Sequence, residues 1–235
     1  MKKKDSKKWW EKVLILSPHS DDETLSLGGT ICNIKEMGGE VRVLVAAAGD
    51  VVFWHNGRIE VPAEKRVEEL KSAMEYLGVD SWRVVFQERN LESRLDTIPI
   101  RDLIYELDKE IESYRPVTLF FPRRSYHQYH KIVHDAAIAS CRPNVDKFMI
   151  PRVIEYEYPS NSWGSVGDET WPNFYIEIKE EYLARKIKAF QMHLSQQRKK
   201  EDLLGIKNIR RWSEMRGASV GCEFAEACKV WRWLE

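Results

Sequence analysis

Short, densely apolar segments alternate along this chain with longer ones in which apolar positions recur every third or fourth residue. The run Val13 to Leu16 is continuously aliphatic, which suits a parallel strand buried on both faces. Thr24 to Met37 then reads as a helix stopped by Gly38-Gly39, and Glu40 to Ala48 as a second strand. Pro62 to Leu77 carries helical spacing, with a proline near its first turn and Gly78 just past its end. Further on, the pattern predicts a strand at Trp82 to Phe86, a helix at Ile98 to Tyr114 and a strand at Val117 to Phe121. A helix from about His130 to Cys141, stopping before Pro143, comes next, followed by strands at Arg152 to Tyr158 and Phe174 to Ile178. Glu180 to His193 is a charged amphipathic helix, and Glu214 to Trp231 reads as helical in part. This alternation predicts an α/β fold with a mostly parallel central sheet covered on both faces. No repeat or low-complexity tract divides it, so residues 1–235 are expected to form a single domain.

The polar residues that interrupt this pattern matter most where strands end. The first strand stops at Ser17-Pro18-His19-Ser20-Asp21-Asp22-Glu23, and the strand before the His-rich helix stops at Phe121 to His134. Open α/β sheets bind ligands at the carboxyl ends of their strands. Imidazole and carboxylate groups gathered there have the chemistry of a catalytic zinc site, in which three protein ligands leave a fourth position open. One His and one Asp from the first loop and one His from the second would supply that set. Spacing alone does not rank Asp21, Asp22 and Glu23, nor choose between His127 with His130 and His130 with His134.

Simpler readings compete. Acids ahead of a helix often serve as caps, and a histidine among Ile132, Val133, Ala136 and Ala137, as His134 is, more often packs than ligates. Arg66 is placed to pair with Glu64 or Glu69 along its helix, or to clamp a substrate oxygen. The loop Gly49 to Val61, bearing Phe53, Trp54, His55 and Arg58, is long enough to be a substrate wall.

Composition adds exclusions. Lys plus Arg equals Asp plus Glu at 37 each, so the overall field gives no reason to expect nucleic acid or an anionic membrane as partner. The four cysteines show no CxxC pairing, and neither a signal-type apolar region nor a membrane-length apolar run is present, so a cytoplasmic protein is expected. The amphipathic helix around Lys186 and the Trp-rich C-terminus are candidate surfaces for a homo-oligomer.

Several motifs together resemble one family. Ser17 to Glu23 resembles the A-H-P-D-D-E signature of the PIG-L (LmbE-like) de-N-acetylases, and His127-Gln128-Tyr129-His130 their H-x-D-H signature. Arg66 to Glu69 with Leu77-Gly78 is similar to the family's Arg-x-x-Glu helix, and Lys186 to Gln196 to its K-x-x-A-x-x-x-H-x-S-Q segment. Arg216-Gly217, Gly221 and Ala225-Glu226-Ala227 are similar to its C-terminal R-G-x-x-x-G-x-x-x-A-E-A segment. The resemblance implies a Rossmann-like three-layer fold and zinc-dependent removal of an N-acetyl group from an N-acetylglucosamine-type sugar or conjugate. It also implies one zinc per chain held by His19, Asp22 and His130, with Asp21 as base, His127 as oxyanion support or acid, and Arg66 on the substrate.

Three residues depart from the family pattern: Ser20 stands for a proline, and Tyr129 and Ser125 for aspartates. On sequence grounds Tyr129→Asp is expected to leave activity intact or raise it. A metal-dependent phosphoesterase and a non-catalytic carbohydrate-binding relative are the rival readings.

Overall fold

A computed structural model describes residues 9–53, 59–87, 94–159 and 172–235 of the chain. In chain order the elements are β1 (Lys12–Ser17), α1 (Asp22–Glu36), β2 (Glu40–Ala47), β3 (Val51–Phe53), β4 (Ile59–Val61), α2 (Ala63–Leu77) and β5 (Ser81–Phe86). They continue with α3 (Ile100–Tyr114), β6 (Thr118–Pro122), α4 (Gln128–Ser140), β7 (Arg152–Tyr156), β8 (Phe174–Glu177), α5 (Glu180–Met192), α6 (Ile206–Ala218) and β9 (Ala225–Trp233). Short 3₁₀ turns at Leu95–Thr97 and Leu194–Gln196 matter for the site.

Among the described residues, seven strands form one sheet in the order β5-β2-β1-β6-β7-β9-β8, with β5 through β7 parallel and β9 antiparallel to both neighbours. The aliphatic run of β1 serves two cores because side chains alternate along a strand. Val13 and Ile15 pack with α1, α2 and α5, whereas Leu14 and Leu16 pack with α3 and α4. The result is the expected Rossmann-like three-layer α/β fold. Helix ends follow the sequence signals: Gly78 closes α2 at φ 77°, a left-handed conformation that glycine adopts without strain.

The C-terminal segment differs from expectation. Its helix ends at Ala218, and Ala225–Trp233 forms β9, inserted between β7 and β8. Glu226 interrupts the apolar pattern yet is buried, because Lys186 meets it at 2.7 Å and the backbone N–H groups of Gly29 and Thr30 donate to it at 3.0 and 2.8 Å. Those partners lie some 40 and 197 residues away, so local periodicity carries no trace of them. Lys186 also packs closely on α1, where a side chain added at Gly28 would come within 2.8 Å of it.

The long loop after β2 holds the antiparallel pair β3–β4, while Trp54, His55 and Arg58 fall outside the described residues. Asp50 of that loop accepts the Ala63 N–H at 2.8 Å and so caps α2, the helix that carries Arg66. Among the described residues, no helix is long and apolar enough to cross a membrane.

Candidate active site

β1 has β2 on one side and β6 on the other, so strand order reverses there and a crevice opens at the carboxyl ends of β1 and β6. The first loop and the start of α4 meet in that crevice. Asp22, the first residue of α1, is buried and stands at the junction. Its Oδ2 accepts the His19 backbone N–H at 3.0 Å, and lies 2.9 Å from His19 Nδ1 and 3.3 Å from His130 Nε2.

Asp22 Oδ1 is also buried and has no hydrogen-bond partner among the described residues, an arrangement that costs on the order of 1–3 kcal/mol or more for a charged group. Ring nitrogens of His19, His127 and His130 lie within 4.8 Å of one another. Imidazole nitrogens and a carboxylate with an unspent oxygen are the donor types zinc prefers, so these residues fit that ion. The adjacent imidazoles outweigh burial and hold the Asp22 carboxyl well below its ordinary range.

Asp21 occupies the N-cap position of α1 but its side chain makes no capping bond among the described residues, so the simple helix-cap reading fails for it. It is buried, and burial followed by the neighbouring Asp22 charge pushes its pKa up, against Arg66, His19 and Arg198. A carboxylate tuned upward beside such a cluster accepts a proton more readily than an ordinary one.

Glu23 takes a supporting role. Ser17 Oγ lies 2.8 Å from Glu23 Oε2 and 2.7 Å from the His19 carbonyl, and a single hydroxyl proton cannot serve both. A protonated Glu23 resolves this by donating to Ser17, which then donates to His19. Burial agrees, since it pushes the Glu23 carboxyl up to about 8.

His127 sits at the exposed rim, ahead of α4. Desolvation, then the neighbouring His19 and His130 rings, push its pKa down, so the neutral imidazole is favoured. His130 is buried with the Tyr158 ring 5.0 Å away. His134 turns elsewhere: its Nδ1 lies 3.2 Å from the Pro122 carbonyl and its ring packs near Phe121 and Trp231. The four-residue pair His130 and His134 is therefore not brought together.

Arg66 is buried in the crevice, where Asp21, Asp22 and Glu69 favour its charge against the pull of burial. Its environment also includes Ser195 and His193, which spacing did not connect to it. Glu69 accepts from Ser195 twice, and His193 is buried with Arg66 as the charge acting on it. The two corresponding motifs, Arg-x-x-Glu and H-x-S-Q, are visible in sequence, but their interlock is not. Arg216 has a structural part: it makes a two-pronged ion pair with Glu157, which also accepts from Trp212 Nε1 at 2.9 Å.

The family model described as PIG-L, GlcNAc-PI de-N-acetylase, matches residues 14–141, more than half of the chain. The chain belongs to the PIG-L family. Both site loops lie within that span. Over 187 residues the chain is 26% identical to the uncharacterized deacetylase YaiS of Escherichia coli, covering 78% of this chain and 90% of YaiS. It is 25% identical over 215 residues to a probable N-acetyl-alpha-D-glucosaminyl L-malate deacetylase 2 of Bacillus anthracis, covering 86% and 91% of the two chains. In fold it resembles the N,N'-diacetylchitobiose deacetylase of Pyrococcus horikoshii, with a TM-score of 0.71 at 21% identity over 94% of this chain and 83% of that one.

Proposed function

We propose that this PIG-L protein is a zinc-dependent hydrolase that removes the N-acetyl group from an N-acetylglucosamine-type sugar or conjugate, releasing acetate and a free amine. The observation that carries the reading is Asp22. One oxygen lies close to both His19 and His130 while the other is buried without a partner among the described residues, and Asp21 stands next to them. His19, Asp22 and His130 would hold the ion. Zinc at such a site supplies Lewis-acid stabilisation of developing negative charge and lowers the pKa of water from about 15.7 toward about 7.

The chain's own groups divide the remaining work. Asp21 takes the proton from the attacking water, and its upward-shifted carboxyl makes it a stronger base for that step than an ordinary carboxylate. His127, favoured in its neutral form, offers an N–H to the acetyl oxygen as that oxygen becomes negative. The departing nitrogen needs a proton, because an amide anion is a poor leaving group. Asp21, having just gained one, is better placed to return it than an imidazole that resists protonation. Arg66 binds a hydroxyl or anionic oxygen of the sugar conjugate from the wall of the crevice.

The names of two relatives support the substrate class: one is named a probable N-acetyl-alpha-D-glucosaminyl L-malate deacetylase and the other an N,N'-diacetylchitobiose deacetylase. The test is acetate release by zinc-loaded protein from a panel of N-acetylglucosamine conjugates. Activity should disappear with a chelator and return with zinc. No acetate from any conjugate, with zinc bound, would overturn the assignment.

A further inference from the structure

We propose that Tyr129 is a positioning residue for the candidate metal centre: its ring face sets the plane of His19, while its hydroxyl separately ties the Leu95 turn to α4. The first part rests on the reading of His19 as a metal ligand.

Tyr129 lies between His127 and His130 in sequence, yet its side chain takes a different path. It is fully buried, in the core cluster that includes Leu95, Leu103 and Val133. From there its ring lies against His19, with centroids 5.1 Å apart and planes only 17° from parallel. His127 approaches edge-on at 5.6 Å and 87°. The phenol oxygen accepts the buried Leu95 N–H at 3.1 Å. One side chain therefore joins three segments distant in sequence: the loop after β1, the start of α4 and the 3₁₀ turn Leu95–Thr97.

The face and the hydroxyl have separable consequences. An imidazole stacked on a rigid, fully packed ring has little freedom to rotate about its χ2 bond. Asp22 holds one edge of His19 at 2.9 Å, and the Tyr129 face restricts the tilt that a single hydrogen bond leaves open. A ligand whose plane is set before the ion arrives loses less freedom on binding, so affinity rises. The hydroxyl contributes instead by satisfying a buried N–H, which concerns the turn and not the ion.

The test uses the full chain, stripped of metal and titrated with Zn2+ against a chromophoric competitor, alongside the visible spectrum of the Co2+-loaded protein. Tyr129→Phe keeps the face and removes the hydroxyl; Tyr129→Leu and Tyr129→Met remove the face, the second covering the case in which the first does not fold. The Phe variant should bind Zn2+ within about twofold of wild type with an unchanged Co2+ spectrum, whereas Leu and Met should weaken binding about 10- to 100-fold and alter the spectrum. The Phe variant should also melt lower and exchange its Leu95 amide faster. Wild-type affinity and spectrum in Leu or Met, or an equal loss in Phe, would overturn the positioning role alone. Failure of the wild-type chain to bind either ion would overturn the reading of the metal centre, and this role with it.

Discussion

Ser195 donates to Glu69 twice, from its backbone N–H at 3.0 Å and from its hydroxyl at 2.6 Å. The two residues are 126 positions apart in sequence. Their contact fastens the turn after α5 to the helix that carries Arg66, one helical turn from Glu69, so the position of the guanidinium depends on a distant segment.

Glu69→Ala removes the acceptor for both donors and a charge that favours Arg66. Hydrogen bonds to charged groups contribute about 1.5–3 kcal/mol, and a loss of that size in urea unfolding is expected, with a raised KM and unchanged zinc content. Ser195→Ala keeps the backbone bond and should cost less than Glu69→Ala. Equal losses in the two variants would show that the hydroxyl alone matters.

Asp21→Asn keeps the side-chain shape but removes the proton acceptor. Deacetylation should fall about 10²- to 10⁴-fold while bound zinc is unchanged. His19→Ala and His130→Ala should instead lower the zinc that copurifies with the protein. Metal analysis beside acetate release separates the two patterns, and near wild-type turnover by Asp21→Asn would remove Asp21 as the base.

His193 predicts a pH effect on stability. Burial, reinforced by the Arg66 charge, pushes its pKa from 6.5 down to about 3. Its native pKa is thus below the unfolded value, and the unfolded chain binds the extra proton between them. The stability it confers is complete above about pH 6.5 and is lost as pH falls toward 3, at up to about 1.4 kcal/mol per pH unit. His193→Gln should flatten the profile of unfolding free energy in that window. A wild-type slope retained by the variant would assign the acid sensitivity to other groups.

Tyr129→Asp should be destabilised by at least about 3 kcal/mol and should lose activity, the reverse of what the motif comparison suggests. The motif treats the position as a carboxylate site beside a histidine. In the fold it is a fully buried ring with its hydroxyl on Leu95, so aspartate would leave a cavity, a stranded N–H and a buried charge. Thermal unfolding of the variant, read beside its acetate release, checks both parts.

The elements that were legible in sequence are those stabilised by near neighbours. The aliphatic run of β1, the glycine end of α2 and the spacing of α3 each carry a local signal, and the structure places them within a residue or two of expectation. β9 was not legible as a strand, because what permits Glu226 in it is a lysine on α5 and two amides of α1.

The candidate site divides in the same way. The amino-acid sequence by itself determined which side chains stand at strand ends, since the break from apolar to polar residues is local, and its motifs supplied the family resemblance. Only the tertiary structure decided that β1 and β6 are neighbours, and hence that Asp22 meets His130 across 108 residues (130 minus 22) at 3.3 Å while His134 turns toward Pro122. The same holds for the interlock of Glu69 with Ser195 and the burial of Tyr129 against His19. Strand order, packing and burial depend on which segments exclude water together, and such non-local contacts leave no periodicity in the residues that make them.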